Sequence, residues 1–176
     1  FLKDLALKTK RGLEGRINQG RSAGGNAYGY DVVREYGPDG PIDRGRRTIN
    51  AQESRVVVEI FTRYLNGESP RAIAACLNEQ KVCGPRGRDW TASTLIGNRK
   101  RGTGILNNKL YIGKLIWNRQ TYIKDPVSGK RQSRMNPQES WIIEEVPNLR
   151  IINDTTWEAV QKAQHQRSRP TRPDKK

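Results

Sequence analysis

Two short helices with clear start signals lie next to each other at residues 52–80, and they constrain the fold more than any other feature. The first follows Asn50-Ala51-Gln52-Glu53, a capping box with asparagine in place of serine or threonine. The second follows Ser69, with Pro70 at its first position, where a missing amide hydrogen costs little. Apolar residues recur at helical spacing in both, which predicts one buried face on each helix. These residues are Val57, Ile60, Phe61, Tyr64 and Leu65, then Ile73, Ala74 and Leu77.

A third helix is predicted to begin at Thr91, after a turn rich in Gly, Pro and Arg at residues 81–89. Trp90 precedes it, and we expect its ring to lie in the core beneath the helix in preference to stacking on a base. Leu95 and Ile96 are expected to face the same core. The polar residues of this segment are then left to face outward: Thr91, Ser93, Thr94 and Asn98. The three helices together predict a helix-turn-helix unit.

A basic loop is predicted directly after the third helix. Residues 97–104 contain three glycines, which make a continuous helix unfavourable. The run Arg99-Lys100-Arg101 lies in this loop, and such runs commonly form a solvated surface. Because this one flanks a candidate recognition helix, we favour contact with phosphates. The helix is expected to resume at Ile105-Leu106.

The N-terminal residues predict a helix followed by a tether. Residues 1–19 place Leu2, Leu5, Leu13 and Ile17 on one helical stripe. The chain begins inside this pattern and its only methionine is Met135, so we expect a fragment of a longer protein. Residues 20–27 are small and glycine-rich, which predicts a flexible tether that can enter a minor groove. A plain glycine linker is the alternative.

Short strands are predicted on both sides of the helices. One strand is expected from Tyr28 to about Tyr36, with a returning strand around residues 47–49 beside it. Strand-forming residues at 111–123, a hairpin tip at 125–129 and a strand at 141–143 follow the helices. A capping box at Thr155-Thr156-Trp157-Glu158 predicts a final helix with Trp157, Val160 and Gln164 on one face. The predicted fold class is α+β: a helix-turn-helix-like three-helix core, small antiparallel strands and a long N-terminal helix.

The charge of the chain indicates a polyanionic partner. Thirty-three Lys and Arg residues against 18 Asp and Glu residues give a formal net charge of +15. Condensed counterions are released when such side chains meet phosphates, which favours nucleic acid. An anionic membrane is the competing partner, but no run reaches the roughly 18 apolar residues of a spanning helix. No signal peptide is visible.

The residues that carry chemistry are few. Cys76 and Cys83 lack the paired spacing of a zinc ribbon, and the single histidine, His165, is distant in sequence. Carboxylates are scattered, and no serine has an evident base partner. We therefore expect no catalytic residue, no metal site and no cofactor. Nothing requires disulfides, so a cytoplasmic location is expected.

An ordered set of short motifs is similar to the recombinase domain of the large serine recombinases. The motifs are Gly29-Tyr30, the helix from Val57 to Tyr64, Gly67, Ile73-Ala74, Leu77-Asn78, Trp90, Leu106-Asn107-Asn108 and Tyr111-Ile112-Gly113. The similarity covers residues 20–115, and Ile151-Ile152-Asn153-Asp154 through Trp157 and Gln161 resembles the stretch that follows. The glycine-broken insert at residues 97–104 departs from the continuous helix of that pattern.

The resemblance implies a division of the chain. Residues 1–19 would be the end of a long linker helix, and residues 20–27 the tether. Residues 28–124 would be the DNA-binding domain, residues 125–166 its β/α extension and residues 167–176 a disordered basic tail. In this family a separate N-terminal domain carries the nucleophilic serine, and a zinc ribbon often follows; neither is expected in this chain.

The implied function is sequence-specific binding of duplex DNA at half of an attachment site, as the non-catalytic module of an integrase, transposase or cassette recombinase. Other recombinase subunits would be contacted through the absent catalytic domain, and the fragment would be monomeric without DNA. Base contacts are expected from Thr91, Ser93, Thr94 and Arg99. Minor-groove contacts are expected from Arg16, Arg21 and Ser22. Phosphate contacts are expected from Arg71, Arg86, Arg88, Lys100 and Arg101.

Two other classes of protein are compatible with the same features. A winged-helix transcription regulator would use the strands as its wing, but no dimer surface or effector site is recognisable. An RNA-binding protein would fit the charge and the four tryptophans. The aromatic residues lie in apolar runs, however, which is more typical of a core than of a stacking platform.

Overall fold

Helices and short antiparallel strands alternate along the chain, which confirms the predicted α+β class. The structure, a computed structural model, describes residues 1–38, 40–43 and 45–167; most of the predicted basic tail, 168–176, lies outside them. The helices in this part of the chain are α1 (Leu2–Ile17), α2 (Ala51–Leu65), α3 (Pro70–Glu79), α4 (Ala92–Ile96) and α5 (Asp154–Arg167). The strands are β1 (Tyr30–Val32), β2 (Glu35–Gly37), β3 (Gly40–Asp43), β4 (Arg47–Ile49), β5 (Lys114–Trp117), β6 (Gln120–Lys124), β7 (Arg131–Met135) and β8 (Ile142–Glu145).

The two central helices begin at the predicted caps. The Asn50 side-chain oxygen accepts hydrogen bonds from the Gln52 and Glu53 amides at 3.0 and 2.9 Å, and Ser69 Oγ accepts one from the Ala72 amide at 3.2 Å. The predicted capping box at Asn50 is only half formed. The Glu53 carboxylate accepts from the Gly29 amide at 2.6 Å instead, because the Asn50 amide already donates to the Gly29 carbonyl. The cap of α2 thus also holds the segment that leads into β1.

Helices α2, α3 and α4 pack around the predicted apolar residues and form the helix-turn-helix core. The buried members are Val57, Ile60, Phe61, Tyr64, Ile73, Ala74, Leu77, Trp90 and Leu95. Trp90 is 2% exposed and its Nε1 donates to the Val82 carbonyl at 3.0 Å, so its core position is confirmed. Leu65 and Ile96 are predicted in this core but remain 37% and 39% exposed. Each is the last residue of its helix, where the chain turns away and leaves part of the side chain exposed.

The strands before the helices form a ribbon with a break. β4 returns beside β1, as predicted, and the two strands pair antiparallel with Tyr30 opposite Ile49. β2 pairs with β3 in the segment between β1 and β4. The single strand predicted from residue 28 to residue 36 is therefore two strands. The partner strand leaves the ladder at Gly45, which has a φ of 90° and a carbonyl that accepts from the Ser22 amide. The tether is thus bonded to the segment between β3 and β4.

A second ribbon follows the helices. β5 pairs with β8, and β6 pairs with β7, around the predicted hairpin tip at residues 125–129. Tyr111 is predicted in a strand but lies in a 3-10 turn, Lys109–Ile112, because the Asn108 side chain caps that turn by accepting from the Leu110 amide. Asn153, not Thr155, caps α5 by accepting from the Thr156 amide at 2.7 Å. Trp157, Val160 and Gln164, which were predicted to share one face of this helix, are all buried.

Aromatic rings join the strands, α2 and α5 into one core. The rings of Tyr30 and Tyr111 stack at 5.9 Å, Phe61 meets Tyr111 edge-on at 6.3 Å, and Phe61 stacks on Trp157 at 6.0 Å. The predicted N-terminal helix α1 is attached to this core through its last residue, Ile17, which is 1% exposed. No helix in the described ranges combines the length and apolarity needed to cross a membrane.

Candidate nucleic-acid interface

The start of α4 presents three hydroxyl groups that hydrogen-bond to one another. Thr91 Oγ1 caps the helix by accepting from the Thr94 amide at 3.1 Å, and it lies 2.9 Å from Ser93 Oγ and 2.8 Å from Thr94 Oγ1. Thr91 and Ser93 are exposed as predicted, whereas Thr94 is half-buried because the first turn folds it back onto the cap. Since a hydroxyl offers one donor and two acceptor sites, the set retains acceptors for an outside partner.

The predicted basic loop follows α4 and is closed by its own hydrogen bonds. The Asn98 amide donates to the Thr103 carbonyl and the Thr103 amide donates back, at 3.2 and 3.1 Å. The Asn98 side chain also accepts from the Arg101 amide at 3.0 Å. Arg99, Lys100 and Arg101 are exposed at the tip. The helix that was expected to resume at Ile105 is a single 3-10 turn, Ile105–Asn107.

Two glycines allow the ends of this loop to meet. Gly97 and Gly104 have φ angles of 55° and 91°, in the region that side chains disfavour. A Cβ on Gly97 would overlap the Thr103 carbonyl, and a Cβ on Gly104 would overlap the backbone of Gly97. Gly97, which ends α4, and Gly104, at the other end of the loop, are therefore the reason that the loop can close.

Arg119 attaches the loop to the second ribbon. Arg119 lies at the junction between β5 and β6, and its Nη1 donates a hydrogen bond of 2.9 Å to the Gly102 carbonyl. Burial lowers the pKa of this guanidinium from its ordinary value. The group nevertheless keeps its charge, because arginine does not lose its proton in proteins. A fixed positive charge therefore lies directly beneath the loop that carries Arg99-Lys100-Arg101.

The tether is held against β4. The Ser22 amide donates to the Gly45 carbonyl at 2.7 Å, and Arg47 Nη2 donates to the carbonyls of Gly24 and Gly25. Burial lowers the pKa of Arg47, and its Nε is buried without a hydrogen-bond partner among the described residues. The backbone of the tether near Ser22 is thus held by the charged side chain of Arg47, which is distant in sequence.

A cleft of about 520 Å³ brings three of the predicted contact residues together. Ser22 of the tether, Arg86 of the turn before α4 and Thr94 of α4 all line it. Further cationic side chains line the same cleft: Arg47, Lys109, Lys114 and Arg119. Arg101 lines a smaller neighbouring cleft of about 250 Å³ together with Arg119. The predicted tether and the predicted recognition helix therefore share one concave, basic surface.

The other predicted contact residues lie outside the 520 Å³ cleft. Arg16 lines a cleft of about 270 Å³ on the other side of the tether, also bounded by Ser22 and Arg47. Arg21 lines a cleft of about 610 Å³ whose walls include Glu144 and Glu145. The remaining predicted phosphate-binding and base-contact residues are exposed on the surface: Arg71, Arg88, Arg99 and Lys100.

Comparison with known proteins identifies the architecture that carries this surface. A family model described as Recombinase matches residues 51–167, from the first residue of α2 to the last of α5. The chain belongs to the Recombinase family. This confirms the family predicted from the ordered motifs, and it favours that class over the winged-helix regulator and the RNA-binding protein.

A solved structure described as "Crystal Structure of a LSR-DNA Complex" has the same fold. The two chains superpose with a TM-score of 0.55 at 17% sequence identity, over 90% of this chain and 38% of the other. This recombinase chain thus spans 38% of the length of the one it resembles. A comparison with curated proteins gave no match.

Several residues that shape this recombinase surface were not predicted. Arg47, Lys109, Lys114 and Arg119 contribute cationic side chains to it. Arg47 and Arg119 bond to backbone carbonyls distant in sequence, so only the abundance of cations was visible in the sequence. The buried amides of Asn107 and Gln164, which pair behind α4, were likewise missed as partners. Within the described residues, no group of three or more His, Cys, Asp or Glu side chains is arranged to hold a metal ion.

Proposed function

We propose that this chain is a non-catalytic DNA-binding module of a serine site-specific recombinase and that it recognises half of an attachment site. The observation that carries the proposal is the cleft that gathers Ser22, Arg86 and Thr94 from three separate segments. Membership of the Recombinase family and a net charge of +15 support it, since a basic, concave surface raises the local concentration of a polyanion.

In this proposal, α4 and the basic loop occupy the major groove. Thr91, Ser93, Thr94 and Arg99 contact base edges, and α4 supplies only one turn, so the loop extends the contact beyond the helix. Ser22, Arg16 and Arg21 follow the adjacent minor groove. Arg71, Arg86, Arg88, Lys100 and Arg101 contact phosphates, which supply affinity and register while the groove contacts supply specificity.

The proposed partners follow from the same assignment. Other recombinase subunits would be joined through a catalytic domain outside this sequence, and the chain alone would be a monomer without DNA. Sedimentation of the free chain tests the second statement, and a stable dimer would contradict it. Detection of a covalent DNA adduct on one of its serines would contradict the non-catalytic role.

Selection from a random duplex library tests the function as a whole. The chain is bound to the library at about 150 mM salt, a physiological ionic strength, and the retained duplexes are sequenced. A discrete motif of half-site length is the expected result. Retention without any motif would mean that charge alone holds the DNA, and recognition by α4 would be refuted.

Two variants separate base recognition from phosphate binding at the selected site. Thr94→Ala is expected to relax the sequence preference, whereas Arg86→Gln is expected to weaken binding to all sequences alike. Lys162→Gln, which removes an exposed cation from α5, is the matched control for the loss of one charge.

If roughly 6–10 phosphates are neutralised, affinity falls by about 10³–10⁵ between about 50 and 200 mM salt. A much flatter response would contradict duplex binding through this surface.

A further inference from the structure

The β6–β7 ribbon, residues 120–135, projects from the fold with both faces uncovered. Except for Gln120 and Ser133, every residue of its two strands is exposed, and Tyr122 and Ile123 are each 55% exposed. A two-stranded hairpin is marginally stable in water when no core covers either face. A ribbon of this kind therefore gains stability from a partner that lies against it.

The charge of the ribbon indicates the chemistry of that partner. Four exposed cations extend along it: Lys124, Lys130, Arg131 and Arg134. None of the ion pairs among described residues involves them. The only carboxylate of the ribbon, Asp125, accepts hydrogen bonds from the Val127 amide and from Gln132 Nε2, both at 2.9 Å, and so closes the hairpin tip.

Both faces of the ribbon carry positive charge. Lys124 and Arg131 are directly opposite in register on one face, where the Arg131 guanidinium lies 5.1 Å from the centre of the Tyr122 ring. Arg134 projects from the other face, because side chains alternate along a strand. A groove of duplex DNA has phosphates on both sides, and the major groove, about 12 Å wide, admits a two-stranded ribbon.

The base of the ribbon adjoins the surface described above. Gln120, the first residue of β6, lines the 250 Å³ cleft together with Arg101 and Thr103 of the basic loop. Arg119, directly before it, donates to the Gly102 carbonyl of that loop. DNA that contacts the loop is thus already at the base of the ribbon, whose five-residue strands extend about 17 Å further.

We propose that the β6–β7 ribbon is a second DNA-binding element, which lies in a groove of the duplex beside the half-site and contacts phosphates through Lys124, Lys130, Arg131 and Arg134. This inference rests on the proposed function of the chain as a duplex-binding module. The ribbon adds affinity and lengthens the bound site. We expect its cations to contact phosphates and not base edges, and phosphate contacts carry no sequence information directly.

The salt dependence of binding tests the ribbon directly. The variant Lys124→Gln with Arg131→Gln removes two charges from one face, and Arg55→Gln with Lys162→Gln removes two exposed charges from α2 and α5 as the matched control. Each lost phosphate contact lowers the slope of log affinity against log salt by about 0.9. Between about 50 and 200 mM salt, wild type should therefore lose about 12-fold more affinity than the ribbon variant. The control should match wild type.

Phosphate ethylation interference on the wild-type complex provides a second measurement that needs no variant. Blocked phosphates are expected to extend beyond the selected motif on one side, and that extension should disappear with the ribbon variant while the motif is unchanged. An unchanged slope and footprint in a folded ribbon variant would overturn the ribbon proposal alone. Absence of any duplex binding by wild type would overturn the proposed function and the ribbon together.

Discussion

Asn78 pairs through both ends of its side-chain amide with the backbone of Trp90. Its Nδ2 donates to the Trp90 carbonyl at 2.9 Å, and its Oδ1 accepts from the Trp90 amide at 2.7 Å. Asn78 lies near the end of α3 and Trp90 lies directly before the Thr91 cap of α4. One side chain thus fixes the start of α4 against α3, across the long turn that separates them.

Replacing Asn78 should therefore weaken the helix-turn-helix core. In Asn78→Asp the carboxylate cannot donate to the Trp90 carbonyl, and two acceptors are brought together. We expect the free energy of unfolding to fall by about 1–3 kcal/mol, the usual cost of an unsatisfied buried polar group. Urea unfolding measures it, with Glu79→Gln, an exposed neighbour in α3, as the control. Equal stability of the two variants would show that the Asn78 pair contributes nothing.

The buried amides of Asn107 and Gln164 should be energetically coupled. Asn107 Nδ2 donates to Gln164 Oε1 at 3.1 Å, Gln164 Nε2 donates back at 3.2 Å, and Asn107 also donates to the Ile96 carbonyl at 2.6 Å. Gln164→Leu leaves Asn107 without its partner and should cost about 1–3 kcal/mol. In a double-mutant cycle, Asn107→Leu with Gln164→Leu should cost less than the sum of the two single changes. Strict additivity would contradict the coupling.

Gly97 should be less tolerant of substitution than a glycine in open space. Gly97→Ala places a Cβ against the Thr103 carbonyl, whereas Gly67, with a φ of 100°, has no atom within 4 Å of the position of a Cβ. Gly67→Ala therefore measures the backbone cost alone, and Gly97→Ala should exceed it by about 1–3 kcal/mol, the usual cost of overpacking. Thermal unfolding of both variants makes the comparison, and equal losses would mean that the loop can open without penalty.

Stability should decline in alkaline solution because of buried phenols. Burial raises the pKa of Tyr28 to about 12, with Glu53 and Cys83 adding to the shift, and burial likewise raises the pKa values of Tyr30 and Tyr111. An unfolded tyrosine loses its proton near pH 10. The native state therefore holds more protons above that pH, so this stability is fully present below about pH 10 and is lost as pH rises toward the native pKa.

Urea unfolding between about pH 9 and 11 measures that decline, which is at most about 1.4 kcal/mol per pH unit for each phenol. Tyr28→Phe should reduce the slope, since it removes one of the shifted groups. Tyr122→Phe, which removes a phenol that is 55% exposed, is the control. The same slope in wild type and Tyr28→Phe would contradict the shift at Tyr28.

The helices and their caps were predictable because their signals are local. Asn50, Ser69 and the apolar positions of α2 and α3 act within four residues of one another, and the structure has them as expected. The glycines at 97 and 104 likewise predicted a loop. The exceptions lie at element ends: Leu65, Ile96 and the cap of α5 depended on which neighbour covers or caps a terminus, and local spacing does not contain that information.

The candidate site was only partly predictable, for a related reason. Ser22, Arg86 and Thr94 are separate candidates in the sequence, and no local pattern places them around one cleft. Arg47 and Arg119 were missed because each makes its decisive bond to a backbone carbonyl 17 or more residues away. In a chain with 33 cationic residues, sequence alone offers no signal that separates these two from the rest.

By itself, the sequence determined the helix-turn-helix core, the excess of positive charge and the recombinase family, because caps, helical periodicity, composition and motif order are all properties of neighbouring or ordered residues. Only the tertiary structure decided that the tether lies beside α4, that Asn78 fixes the approach to that helix and that the β6–β7 ribbon stands uncovered beside the basic loop. Those outcomes depend on hydrogen bonds and packing between segments far apart in sequence, where the position of each partner is set by the whole fold.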